Sequence, residues 1–213
     1  RRVVMIAREG WSIVGFVTAV TAVVHWFAGA AWAWPLWLVL FFVIQFFRDP
    51  TREISGAAGA IVSPAHGKVV ALERARDPYL ERDALKLSIF MNVFSVHSNR
   101  IPIAGKIRGS WYHAGRFFNA ALDKASRENE RNALWIQTGT GEDVVVVQIA
   151  GLIARRISCD IKHGDTVITG QRYGFIKFGS RVDVYLPLEA DIAVRLGQWV
   201  LSGTDTIAYL QSR

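Results

Sequence analysis

Residues 10–47 are 38 consecutive positions without Asp, Glu, Lys or Arg, and only His25 among them titrates near neutrality. A hydrocarbon layer of about 30 Å takes roughly 20 apolar helical residues, so the run accommodates two short passes better than one. It is interrupted at 28–35, where small residues, Pro35, Trp32 and Trp34 read as a turn at the headgroup layer. Helices are expected near 11–28 and 35–47. Arg1, Arg2 and Arg8 precede the run and Arg48 and Arg52 follow it, which puts both ends on the cytoplasmic side. Arg48-Asp49-Pro50 should end the second helix, since Arg snorkels to the headgroups and Pro forbids continuation. A signal peptide's apolar segment, about 7–15 residues, is much shorter than this run. Residues 1–50 are thus expected to form a membrane-anchoring helical hairpin, and residues 51–213 a second domain.

That second domain reads as mainly β. The segments 58–62, 68–73, 85–91, 105–112, 134–138 and 143–152 are short, rich in Val, Ile, Leu and aromatics, and bounded by turn residues. Their spacing suggests a compact β-sandwich or barrel. The stretch 119–131 lacks alternation and is expected to be a polar loop or a short helix. His163-Gly164-Asp165-Thr166-Val167 followed by Gly170 to Gly174 resembles the hairpin of biotinyl and lipoyl carrier domains, a barrel-sandwich hybrid. No Lys stands at its tip, so a carrier proper is not expected. Cys159, the single cysteine, excludes an intramolecular disulfide framework and any multi-cysteine metal centre. The net charge of +7 is spread, with +2 in residues 1–47 and +5 over the other 166, too dilute for a nucleic-acid stripe. It suits an anionic lipid surface.

The chemistry-bearing residues fall at the ends of these segments. Ser63-Pro64-Ala65-His66-Gly67-Lys68-Val69 precedes one strand, and Val96-His97-Ser98-Asn99-Arg100 follows another. Asn119-Ala120, Glu128-Asn129-Glu130-Arg131 and Phe178-Gly179-Ser180-Arg181 come later in the chain. In this order, and with the apolar N-terminus ending in Phe47-Arg48-Asp49-Pro50, they resemble the phosphatidylserine decarboxylase proenzymes of the short, membrane-associated prokaryotic type. The resemblance covers nearly the whole chain. It implies that Ser180 attacks the carbonyl of Gly179, that the chain divides into fragments 1–179 and 180–213, and that Ser180 becomes a pyruvoyl group. An amine substrate would condense with that ketone, which accepts the electrons released as CO2 leaves. No metal is required. Gly179 meets the need for a small residue before the serine.

The resemblance further implies His97 as general base and acid, with an ordinary pKa near working pH. Arg100 would be a fork for the substrate's phosphate or carboxylate, and His113, Phe117 and Asn119 would shape the headgroup pocket. Members of the family usually carry an acidic residue in place of His66, in an Asp-His-Ser arrangement that orients the histidine and promotes self-cleavage. A neutral imidazole can accept one hydrogen bond from His97 but supplies no negative charge. No Asp or Glu lies between Ile54 and Leu72, so Glu73 or Asp183 would have to fold in as a substitute. The implied setting is the cytoplasmic face of a bacterial inner membrane, with phosphatidylserine and anionic lipid as partners, no nucleic acid, and a homodimer left open. The competing reading is a non-enzymatic membrane-anchored adaptor whose lipoyl-like hairpin docks partners. It is favoured by the missing acid at 66 and opposed by the conjunction of motifs.

Overall fold

The computed structural model of the chain describes residues 4–54, 57, 59–115, 128–151, 156–177 and 179–211. Its contacts divide between two units, Arg1–Thr51 and Arg52–Arg213. In the first, α1 (Trp11–Ala28) and α2 (Ala30–Phe46) form a helical hairpin closed at its base by β1 (Val4–Ile6) pairing antiparallel with β2 (Arg48–Pro50). Together with the short 3-10 turn before it, α1 gives an apolar helical stretch of 21 residues, Arg8–Ala28, long enough to cross a membrane, while α2 is 17 residues long. The hydroxyls of Thr18 and Thr21 donate to the carbonyls of Val14 and Val17, each at 2.7 Å, so neither is left unsatisfied.

The reversal between the helices differs from the turn expected over 28–35. It is made by Gly29 alone, and Trp32, Trp34 and Pro35 lie inside α2. Pro and small residues mark turns in water, where a lost backbone bond is readily replaced. In an apolar hairpin, neighbouring backbone and local adjustment can absorb a helical Pro, and the Ala-rich start of α2 keeps its helix propensity.

The second unit is mainly β, an open antiparallel sheet curled into a half-barrel. Its strands are β3 (Ala60–Val62), β4 (Gly67–Asp77), β5 (Arg82–Met91), β6 (Ser98–Arg100), β7 (Gly105–His113), β8 (Arg131–Gln137) and β9 (Asp143–Ile149). They continue with β10 (Ile157–Cys159), β11 (Thr166–Val167), β12 (Arg172–Ile176), β13 (Ser180–Leu186), β14 (Asp191–Ile192), β15 (Trp199–Val200) and β16 (Thr206–Tyr209). The large sheet runs β11-β7-β8-β9-β13-β5-β4-β15, and two three-stranded sheets run β10-β12-β6 and β14-β16-β3. The main core lies on one face of the large sheet. There Leu87, Ile89, Met91, Val144, Val146, Val182 and Val184 meet Tyr173 and Ile176 of β12 and Ile207 and Ala208 of β16. The other face is buried too, by Ala84, Ala133, Val145, Val147, Ile149 and Tyr185, with Tyr79, Leu80, Trp111 and Trp135 packed against them. Central strands apolar on both faces read in sequence as continuous runs rather than alternations.

The lipoyl-like hairpin does not form. Strand β11 pairs with β7, whereas β12 pairs with β10 and β6. The arms are drawn apart by their docking bonds: Ile107 N–H donates to Asp165 O and Gly164 N–H to Ile107 O on one side, and Gly170 N–H to Ile101 O on the other. Of the stretch 119–131, residues 119–127 lie outside the described residues and Arg131 opens β8.

One charged pair is sealed inside this sheet. Arg181 and Asp183, each 1% exposed, pair at 2.9 Å through Nε and Oδ1 on the face opposite Val182 and Val184. Removing one partner of such a pair strands the other's charge out of water, whereas replacing both with apolar groups can be near neutral. Asp183→Leu alone should therefore lower unfolding free energy by about 3–5 kcal/mol. Arg181→Met with Asp183→Leu should recover most of that, as read by urea unfolding of the detergent-solubilised chain.

Candidate active site

The N-terminal ends of β4 and β13 and the C-terminal end of β5 meet at one end of the large sheet, since Ser180 pairs with Met91 and Lys68 with Phe90. Ahead of β4, the 63–66 bend is tied from several sides. Ser63 N–H donates to Asp205 O, Gly203 N–H to Ser63 O, Arg100 N–H to Pro64 O, and the Ser63 hydroxyl to Ala65 O at 2.6 Å. A Cβ at position 67 would lie 2.1 Å from Phe90 O, so only glycine lets β4 come this close to β5. The bend therefore delivers His66 to a fixed place.

There the His66 Nδ1 accepts the Val96 N–H at 3.0 Å, and its ring meets Trp199 edge-on at 6.2 Å. Because a backbone N–H can only donate, Nδ1 carries the lone pair and the neutral ring holds its proton on Nε2. The expected acceptor for His97 is thus committed to Val96, and the other ring nitrogen is a donor.

His97 is fully buried. Its ring lies against Phe175 at 6.1 Å, and its carbonyl accepts the Ile176 N–H at 3.2 Å. The chain reaches it from Met91 through the turn Asn92–Ser95, closed by Ser95 N–H to Asn92 O and by Phe94 N–H to Asn92 Oδ1. Ser180 is also fully buried, and its hydroxyl donates to Met91 Sδ at 3.7 Å. Gly179 before it has φ +53°, a left-handed conformation, with open space where a Cβ would be. Met91 and Ile176 are each a few residues from His97 or Ser180, so both groups are confined to the same end of the core.

The sequence reading missed a buried polar chain that runs into this place. Asn132 Nδ2 donates to Gln148 Oε1, Gln148 Nε2 to Asn99 Oδ1 at 2.9 Å, and Asn99 Nδ2 to Met91 Sδ at 3.7 Å. The signal was there: Gln148 interrupts the apolar run 144–149, where a strand buried on both faces has no solvent to offer an amide.

Of the other expected residues, Arg100 lies on β6 and His113 on β7. Arg100 is half-buried and gives its Nη1–H to Gly170 O at 3.0 Å. His113 is exposed at the end of β7 beside the Tyr79 ring, and burial and the nearby Arg131 hold its pKa below the usual histidine range. Through the pairs His113–Arg131, Arg131–Ile149 and Ile149–Arg181 it stands three strands, about 14 Å, from β13, on the face opposite the Ser180 side chain. The carboxylates considered as substitutes at 66 are engaged with cations: Glu73 accepts from Lys86 at 3.1 Å, and Asp183 pairs with Arg181. Phe117, Asn119 and Phe178 lie outside the described residues. Among the described residues no three His, Cys, Asp or Glu side chains gather as a metal site. A polar cleft of about 560 Å³ opens at the opposite end of the sheet, lined by Arg82, Asp83, Asp143 and Glu189 among others, and contains none of these residues.

The β domain thus holds a buried serine behind a left-handed glycine at the same end of the core as a buried histidine. The model of the phosphatidylserine decarboxylase family matches residues 39–208. The chain is 55% identical to a phosphatidylserine decarboxylase proenzyme of Nitrosomonas europaea, over 96% of this chain and 94% of that one. It is 57% identical to that of Nitrosomonas eutropha, over 95% and 94%, and 56% identical to that of Ralstonia nicotianae, over 97% and 96%. The chain belongs to the phosphatidylserine decarboxylase family.

Two outcomes follow from the local chemistry. Gly179→Ala should strain the backbone by about 1–2 kcal/mol despite the open space, read as an equal loss in chemical unfolding. Burial pushes the Cys159 thiol up from its ordinary value. Its thiolate fraction at pH 7 is therefore smaller than a free cysteine's, and maleimide labelling of the folded chain should be correspondingly slower than that of the unfolded chain.

Proposed function

We propose that this chain decarboxylates phosphatidylserine to phosphatidylethanolamine, using a pyruvoyl group that it makes from Ser180. The observation that carries the reading is the Gly179–Ser180 bond itself. It joins a left-handed glycine to a serine whose hydroxyl is sealed in the core and whose strand is paired on both edges.

In maturation, Ser180 Oγ bonds to the Gly179 carbonyl carbon as the peptide C–N bond breaks, and the hydroxyl proton passes to the freed amine. Loss of the Ser180 α-proton and departure of the Gly179 carboxylate leave a dehydroalanine, which takes up water and releases ammonia to become the pyruvoyl end of fragment 180–213. His97 is the base proposed to relay these protons, being held by its carbonyl to Ile176, four residues before Ser180. The new terminus would stay in position, because residues 180–186 are paired to β5 and 181–185 to β9. When formed, the group supplies a ketone that accepts the electron pair released with CO2. Arg100 is proposed for the substrate's anionic groups on charge alone, with its Nη1 already on Gly170 O. The proposed setting is the cytoplasmic face of a bacterial inner membrane, supported by the apolar stretch Arg8–Ala28 and its flanking arginines.

His66 sets the expected rate of maturation. Its Nδ1 and an aspartate Oδ1 occupy the same place, one bond beyond Cγ, so Asp at 66 can keep the Val96 N–H bond and present Oδ2 as a charged acceptor. The imidazole presents only a donor. Intact mass of the purified chain should show fragments ending at 179 and beginning at 180 beside persisting unbroken chain. His66→Asp should speed conversion roughly tenfold, the effect of about 1.4 kcal/mol of charge stabilisation. His66→Asn, which keeps the bond without the charge, should not, and Ser180→Ala should abolish both cleavage and activity. Full decarboxylase activity from an unbroken chain would refute the mechanism.

A further inference from the structure

Beside His66 the second unit carries a group of large apolar side chains left exposed among the described residues. Leu196 is 66% exposed, Trp199 51% and Leu201 37%. Leu196 lies in the turn before the edge strand β15, Trp199 on it and Leu201 just after it, and the turn is bolted to β4: Gly197 N–H donates to Val69 O and Val69 N–H to Gln198 O, each at 2.8 Å. Phe94, 64% exposed, projects from the turn after β5 at the same end of the sheet. Two exposed cations stand in the group, Lys68, which pairs with Trp199, and Arg195. The only carboxylate in 194–205, Asp205, is engaged with the Leu201 N–H at 2.8 Å.

We infer that this rim, Lys68, Arg195, Leu196, Trp199 and Leu201, seats in the headgroup layer of an anionic bilayer, so that the mouth of the site opens onto the lipid. A tryptophan with aliphatic neighbours suits the zone between water and hydrocarbon, and lysine and arginine there are drawn to acidic headgroups. Trp199 touches the ring of His66, so the rim is continuous with the candidate site. A phospholipid substrate leaves the bilayer only at a penalty that grows with each exposed methylene, and a seated rim removes that step. Only the identity of the lipid drawn from the bilayer rests on the decarboxylase reading; the seating itself does not.

The test that is independent of activity uses the full chain in vesicles containing phosphatidylserine, with Cys159→Ser and a nitroxide on Leu196→Cys. A second label on Thr140→Cys, in the β8–β9 turn at the opposite end of the sheet, is the reference. Position 196 should be more accessible to oxygen and less to an aqueous nickel chelate than position 140. Lys68→Gln or Arg195→Gln should cut the immersed fraction about fivefold each. Equal nickel access at both positions would overturn the inference, as would spin–spin broadening at 196 in dilute vesicles, which would show a second copy on the rim. With cysteines untouched, Leu196→Glu should raise KM for vesicle phosphatidylserine roughly tenfold. Its kcat, and its turnover of a short-chain, monomeric phosphatidylserine, should be unchanged. An equal fall on both substrates would show a structural role instead, while a wild-type chain inactive on both would sink the decarboxylase reading and leave the nitroxide result to stand alone.

Discussion

Strand β13 is paired along both edges and buried on both faces, and the rest of the site is arranged around that fact. It fixes Ser180 at a point where the chain crosses from the small β10-β12-β6 sheet into the middle of the large one. The residue before it has a backbone shape that a side chain would resist, with open space where a Cβ would be. In the proposed intramolecular attack, the fixed orientation of that hydroxyl would replace a bimolecular encounter. The same pairing means that breaking the chain at 179 need not release either piece.

The strands that were easiest to read in sequence are those buried on both faces, because they are mostly apolar: the expected 85–91 falls within β5 (Arg82–Met91), and the expected 143–152 starts with β9 but runs three residues past its end at Ile149. Boundaries failed where polar residues continue a ladder. Strand β4 runs on through Arg74, Ala75 and Arg76 to Asp77, whose Oδ1 accepts the Tyr79 and Leu80 N–H groups and closes the turn into β5. Nothing in composition distinguishes such a charged hairpin arm from a loop. The pairing of β11 and β12 with different sheets was equally out of reach, since glycine spacing reports where a chain can turn and not which neighbour its arms will join. At the site, Ser180, His97, His66 and Arg100 were named through a motif order and His113 outside it; where each side chain points is set by strand register, which a motif does not contain.

The Asn132–Gln148–Asn99 chain explains how a polar site is kept in an apolar core. Each amide donates to the next acceptor, and the last ends on the Met91 sulfur that also receives the Ser180 hydroxyl. Unsatisfied, any of these groups would carry a desolvation penalty of about 1–3 kcal/mol. Linked, they tie β8 and β9, the latter directly beside β13, to β6. Sulfur is a weak acceptor, so the hydroxyl is oriented without being held tightly, which suits a group that must leave this bond to react.

Position 66 separates what the fold requires from what the chemistry requires. The fold needs an acceptor one bond beyond Cγ to receive the Val96 N–H and so set the entry into His97. Histidine, aspartate and asparagine all provide one. The chemistry of an Asp-His-Ser relay needs in addition a negative charge beside an imidazole that becomes cationic when it takes the serine's proton, and only aspartate provides both. On the proposed mechanism, a histidine at this position would keep the Val96 bond, the bend and the strand pairing while weakening a single electrostatic step.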